Sequence, residues 1–595
     1  HHFIISFSFH LPPCLFLLYF FLFLVLSLLV ESEPFCMGVL VMDSALEKED
    51  EFETTNIESK TSFRSMEALS ISKSSASLHA EELPLEWHTI RFSVKAAIIA
   101  GLGGLLFGYD IGVVSGALKL LEKDFSLSNW QLELVVSLMT LGAVLGSAVG
   151  GAVCDAIGRK TTILLTNVIF VVGGITMFFA TNIVIIYVGR IILGIGIAIS
   201  AIADISYLNE VAPVRVRGAV VSANEAMVTV GVLLSYLVDY ALRDTPGGWR
   251  WMFGAAAGLA LFQAAGMRAM PESPRWLLAA RGDRAAARRA LAAAYPTDHQ
   301  VRMQIVIIET TQHQAQMATG TNLGLLSEWR YQFGIVIVLM IFQQLSGNSN
   351  LLNYAEEIFE QGGVSNASFG LVIIGIVKVI FTGTALTFVD KVGRKILLCA
   401  GSLVMAASFS VIAFAFMHTE AHPLLILICS CVIVAAYAIS FGPLIWLVTS
   451  ELFPTKIKGR AIGVALVANW LGNFAAASTF LTFLEVAGAG ATFGLHALAC
   501  TGAAVFAILV VPETRGKDPE DVAMELANGG GVSQFCCCWK RKGCHRGQGE
   551  GRRRGRTGRI PASNGSNQGA LQRQGSSGSG ILELGRPQDG ELTVI

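Results

Sequence analysis

Asp110, in the stretch FGYDIGVVSGAL, stands inside a long apolar run, as do Glu225 in SANEAM and Lys378 in GIVKVIF. A charge at the centre of a hydrocarbon layer costs about 2.5–3.5 kcal/mol on insertion scales, so such residues mark function more often than packing. Around Asp110 the chain places Gly108, Tyr109, Gly112, Ser115 and Gly116, small or hydrogen-bonding types that suit close helix contact. A second set of polar groups lies further on: Gln343, Gln344, Ser349, Asn350 and Asn469. Carboxamides offer a donor and an acceptor from one side chain. The plainer alternative for each is a hydrogen bond between helices. No nucleophile–base arrangement, metal-ligand spacing or phosphate loop appears; GLGGLLFG (101–108) is glycine-rich but lies inside an apolar run. The chain therefore reads as a non-enzyme with no cofactor and no metal.

These residues need spanning helices to hold them. The 595 residues are 53% hydrophobic and 15% charged, against about 25% charged in soluble domains. Apolar segments near 92–118, 132–153, 161–181, 184–208, 218–240 and 251–270 form one set of six. Segments near 331–357, 367–389, 396–417, 423–449, 460–484 and 492–511 form another. Each is long enough to cross about 30 Å of hydrocarbon. Lys and Arg collect at alternate junctions: Arg159/Lys160, Arg215/Arg217, an arginine cluster over 275–302, Lys391/Arg394/Lys395, Lys456/Lys458/Arg460 and Arg515/Lys517. The positive-inside bias then places both termini in the cytosol, and makes Asn366-Ala367-Ser368 an external glycosylation candidate. A net charge of −1 gives no field that would draw nucleic acid.

The two sets repeat each other. DAIGRK (155–160) recurs as DKVGRK (390–395), EVAPVRVRG (210–218) as ELFPTKIKG (451–459), and PESPR (271–275) as PETRG (512–516), at offsets of 235, 241 and 241 residues. Repeats at near-constant spacing imply two homologous bundles around a central cleft, the architecture of alternating access. Gly158 and Gly393 permit the tight turns. Asp155, Arg159, Glu210, Arg217, Asp390, Arg394, Glu451 and Arg460 are candidates for a cytosolic gate, with ion pairs across the halves that form as that side closes.

The motifs resemble those of the sugar porter branch of the major facilitator superfamily, over about residues 95–517. GYDIGVVSGAL, DAIGRK, GRIILGIGIAIS, EVAPVRVRG, PESPRWLL, QQLSG, DKVGRK, FGPLIWLVTSELFP and PETRG carry the resemblance. The stretch GVSNASFGLVIIGIVKVIFTG together with Glu225 looks most like the plant and algal D-xylose-proton symporter-like subgroup. The resemblance implies an all-α membrane protein with twelve spans in two pseudo-symmetric six-helix bundles. It implies transport of a hexose, pentose or polyol, with protons and lipid as partners and a monomeric state, in the plasma membrane or alternatively a vacuolar or plastid one. Proton-coupled members carry an acid where Asp110 stands, opposite the fourth-span arginine, here Arg190. Facilitation without a proton, or sensing without transport, remain alternatives. The resemblance places Gln343, Gln344, Ser349, Asn350, Tyr354, Trp446 and Asn469 around the sugar. Glu225 stands where the family has Gln, and Asn353 replaces the first of a Tyr pair. The pocket is amide-rich and less aromatic than usual.

Outside the bundles, residues 1–91 hold an apolar block (14–30), readable as a signal sequence, an extra span or translated untranslated sequence with Met37 or Met42 as the start, followed by an arm expected to be disordered. Residues 271–330 form a cytosolic linker with short Ala/Arg-rich helices between bundles 92–270 and 331–517. The tail 518–595 is rich in Gly, Ser and Arg and reads as a disordered cytosolic tail, and its QFCCCWKRKGC suits S-palmitoylation.

Overall fold

The computed structural model describes residues 86–317, 329–418, 422–454 and 457–515, with Val522 and Leu526. The apolar block, the N-terminal arm, the cysteine-rich tail, Lys456 and the side chain of Asp390 lie outside the described residues. Every regular element among the described residues is helical.

The first half contains α1 (Trp87–Phe125), α2 (Asn129–Ile157), α3 (Arg159–Phe178), α4 (Ile183–Val211), α5 (Val214–Leu242) and α6 (Gly248–Arg268). Three short linker helices follow: α7 (Pro274–Ala280), α8 (Arg284–Ala292) and α9 (Asp298–Met317). The second half runs α10 (Arg330–Leu345), α11 (Asn348–Asn353), α12 (Ala355–Gln361), α13 (Ala367–Val392), α14 (Arg394–Met417), α15 (Pro423–Ile439), α16 (Phe441–Glu451), α17 (Lys458–Ala477) and α18 (Phe480–Leu509). Ten helical stretches among the described residues are long and apolar enough to cross a membrane. Helix α6, packed on α1 and α3, completes six in the first half. In the second half α18 bends at Gly488, whose φ of 81° no other residue type adopts readily. The turns before Gly488 continue α17, and those after it make the last span. Twelve spans in two bundles of six result, as the sequence repeat implies.

Glycine spacing explains the tightest packing. Gly104, Gly108, Gly112 and Gly116 recur every fourth residue on α1, and a Cβ at each would overlap α5 at Asn224, Val228, Ser235 and Asp239. Gly142, Gly146 and Gly150 on α2 receive α4 at Ile191, Ile195 and Ile199 in the same way. Lipid tails are as apolar as leucine, so close backbone approach supplies the attraction between such helices.

Two spans are broken. The seventh is interrupted at Gly347 (φ 80°) and again at Tyr354, and the tenth at Ser440, two residues before Gly442-Pro443. Irregular backbone at membrane depth is tolerated where it is enclosed in protein or lines a cavity. Both breaks lie beside the amide cluster described below.

The halves meet at one end. Glu133 accepts from the Thr482 backbone N–H (2.7 Å) and hydroxyl (2.8 Å), and Asn129 donates to Glu485 (2.7 Å). Tyr236 donates to the Leu352 carbonyl (3.1 Å), Arg243 donates to Asn366 (2.6 Å), and Lys119 pairs with Glu360. All lie at the end opposite the basic loops, so the structure is sealed there. Asn366 also caps α13 by accepting from Phe369 N–H (3.2 Å). The sequon asparagine is thus built into the seam rather than projecting freely.

Candidate functional site

At the basic end the three repeated motifs of each half dock onto one another. Arg159 donates to Glu210 (3.0 Å), Ser273 also donates to Glu210, and Glu272 accepts the N–H of Lys160 (2.9 Å) at the start of α3. In the second half Arg394 donates to Glu451 (3.1 Å), Thr514 to Glu451 (2.5 Å), and Glu513 accepts the N–H of Arg394 (3.1 Å) at the start of α14. A carboxylate at a helix N-terminus satisfies unpaired donors and complements the dipole. The sequence expectation was that Glu210 and Glu451 reach across the halves. In this structure, sealed at the opposite end, each pairs within its own half, where the ends of spans two, four and six, and of spans eight, ten and twelve, converge. Asp155 joins Arg159 (3.0 Å). Arg217 is half-buried, and its electrostatic neighbours are Arg275 and Tyr295, not Glu210. Arg460 lies in the first turn of α17.

Deeper in, Asp110 and Arg190 are essentially unexposed (0% and 1%). Arg190 Nε donates to the Val135 carbonyl (2.9 Å), and its Cζ lies 6.0 Å from the Phe253 ring centroid. Its Nη1 has no hydrogen-bond partner, and neither carboxylate oxygen of Asp110 has one. The two groups act on each other electrostatically across the contact between α1 and α4. Burial disfavours the charged acid and Arg190 favours it, so a helix shift that changes either moves the proton.

The amide cluster sits where both broken spans meet α17. Asn469 donates to Gln343 Oε1 (2.6 Å), and Gln343 Nε2 donates to the Tyr437 hydroxyl (3.2 Å) and the Phe441 carbonyl (3.2 Å). Ser349 donates to Gln344 Oε1 (3.0 Å). Asn350 is buried with Oδ1 unpartnered. Trp446 lies partly buried on α16. Trp470 packs edge-on against Phe107 with centroids 5.8 Å apart and leaves its indole N–H unpartnered. Glu225 and Lys378 come from opposite halves and interact electrostatically; Glu225 also acts on Tyr437. Glu225 is solvent-exposed although protein surrounds it, as a side chain on a cavity wall is. Gly375, one turn before Lys378, packs against Leu233, which fixes the crossing of α5 and α13.

The structure brings together Gln343, Asn469 and Glu225, and pairs Gln344 with Ser349. Tyr354 differs from the expectation of a sugar ligand. Its hydroxyl donates to the Ala477 carbonyl (2.7 Å), its ring stacks on Phe480 at 5.0 Å, and it is 1% exposed. It tethers spans seven and eleven instead. Sequence reasoning missed Tyr437, for which no motif gave a signal. It also missed the buried acids Glu133, Asp204 and Asp239, which apolar-run inspection could have found.

Residues 96–526 match the family described as "Sugar (and other) transporter". The glucose transporter GlcP of Staphylococcus epidermidis is 33% identical over 72% of this chain and 96% of its own. The galactose-proton symporter of Escherichia coli K12 is 32% identical over 72% and 94%. The proton:xylose symporter XylE, solved with 6-bromo-6-deoxy-D-glucose, aligns with a TM-score of 0.62 at 29% identity over 73% of this chain and 99% of that one. With this fold, these repeated motifs and these similarities, the chain belongs to the sugar transporter family of the major facilitator superfamily.

Proposed function

We propose that the protein is a proton-coupled symporter of a monosaccharide or polyol, working by alternating access in the plasma membrane with both termini cytosolic. The observation that carries this reading is Asp110: fully buried, with no hydrogen-bond partner, beside an Arg190 whose Nη1 is unengaged. In one conformation Arg190 stabilises the ionised acid; when the helices shift, Asp110 takes a proton and the pair separates. Gln343, Asn469, Tyr437, Gln344 and Ser349 then offer the hydroxyl-binding face, with Trp446 as the apolar wall and Asn350 and Glu225 at the margin. The arginine and glutamate networks of each half act as rigid latches that the two bundles carry through the cycle.

Purified protein in proteoliposomes tests this directly. An inward-directed proton gradient should drive labelled sugar above its external concentration. Equilibration without accumulation would point to facilitation, and binding without flux to a sensor. A panel of hexoses, pentoses and polyols in a transport-deficient cell identifies the substrate.

A further inference from the structure

The sealed end contains two carboxylates that no established role explains. Asp239, near the end of α5, is 1% exposed, and both of its oxygens lack a hydrogen-bond partner. Glu356, at the start of α12 in the other half, is 8% exposed; Ser368 donates to its Oε1 (3.1 Å), and its Oε2 has no partner. Both groups converge on one turn of α1. A Cβ at Gly116 would overlap the Asp239 carboxylate, while Ser115 Oγ accepts the backbone N–H of Glu356 (3.3 Å). The two acids act on each other electrostatically.

The surrounding charges do not neutralise both. From α1, Lys119 pairs with Glu360, and its field reaches Glu356. From α5, Arg243 is bound to Asn366 (2.6 Å) and Asp244 (3.3 Å) while its field reaches both Asp239 and Glu356, one cation for two acids, and Tyr236 is bound to Leu352. From α12, Glu357 and Glu360 add negative charge, and α13 supplies only the Ser368 hydroxyl and the engaged Asn366. From α15, apolar Ile426 packs against Gly362 at the end of α12. No group of three metal-ligating side chains occurs among the described residues, so a metal ion has no ready cage.

We propose that Asp239 and Glu356 form a proton-binding site that spans the two halves and is assembled only when this end closes. Two carboxylates buried together cannot both stay ionised at modest cost, so the closed state holds one proton between them. The proton comes from solution as the halves approach, forming one O–H bond on either carboxyl. When the halves part, both acids meet water and the proton leaves. The closed state binds the extra proton, so falling pH favours closure, by up to about tenfold per pH unit for one proton. The proposal does not depend on Asp110 being the coupling site.

The test uses the full chain in nanodiscs, with spin labels replacing exposed Thr245 and Ser365, one in each half, and native cysteines changed to alanine. In the parent the Thr245–Ser365 distance should shorten as pH falls. Asp239→Asn and Glu356→Gln imitate the protonated forms and should stay closed at high pH, with less than about a twofold change in the closed-to-open ratio across the range. As a check that does not need the cysteine-free background, the infrared carboxylic-acid band gained on acidification should diminish in Glu356→Gln. Variants that titrate like the parent would overturn the proposal. So would a distance change that follows sodium at fixed pH, or loss of the titration in Asp110→Asn alone. Failure of accumulation in proteoliposomes with the gate titration intact would count against symport and leave this site standing.

Discussion

At the scale of single residues, the two polar centres make separate predictions. Asp110→Asn removes the proton but keeps the volume, so it should abolish gradient-driven accumulation while sparing exchange of preloaded sugar. Loss of exchange as well, in the same vesicles, would assign Asp110 a structural role. Asn469→Ala removes one donor of the proposed hydroxyl-binding face, and a hydrogen bond from it to bound sugar contributes about 0.5–1.5 kcal/mol. Sugar affinity should fall by up to about tenfold, since about 1.4 kcal/mol is a factor of ten, and binding calorimetry reads it. Asp110 was legible because an acid is conspicuous in an apolar run. Tyr437 was not, because a tyrosine in an apolar run looks like ordinary packing until its hydroxyl is seen under Gln343.

At the scale of elements, glycine spacing and the linker are the testable features. A methyl group at Gly108 would strike the Val228 carbonyl, whereas Gly151 has open space around it. Gly108→Ala should therefore cost about 1–3 kcal/mol by overpacking and lower the unfolding midpoint in detergent, while Gly151→Ala should not. In the linker, Arg288 and Arg302 bind the exposed Asp298 and hold its carboxylate below the usual range. A lowered pKa gives a contribution present above the ordinary value of 3.8 and lost as pH falls through the lower, folded value. Protection of the α8 and α9 amides, after correction for the intrinsic exchange rate, should fall in that acid window and should not fall in Asp298→Asn. Linker helices were readable from Ala/Arg content. The breaks in spans seven and ten were marked only by Gly347 within a polar stretch and by Gly442-Pro443, and neither by itself says where a helix stops.

At the scale of the whole molecule, the seam decides which end is shut. Glu133 accepts two bonds from Thr482 across the halves, and hydrogen bonds to charged groups contribute about 1.5–3 kcal/mol each. Glu133→Ala should raise the population open at this end by roughly tenfold or more. The Thr245–Ser365 spin-label distance would report it, and an unchanged distance distribution would remove Glu133 from the gate. The latch networks explain why the repeated motifs recur together. Each half needs its own lock, between the ends of spans two, four and six in one and of spans eight, ten and twelve in the other, if it is to move as one body.

The sequence alone determined the class of molecule. Hydrocarbon thickness fixes span length, glycine and proline mark turns, and the repeated motifs declare two homologous bundles, because these constraints act locally along the chain. Tertiary structure alone decided partnership. Whether Glu210 meets Arg159 or an arginine of the other half, whether Tyr354 offers its hydroxyl to sugar or to Ala477, and that Asp239 lies beside Glu356 all depend on how rigid bundles rotate against each other. Contacts between residues more than a hundred positions apart follow from the packing of whole helices, and no local property of either residue encodes them.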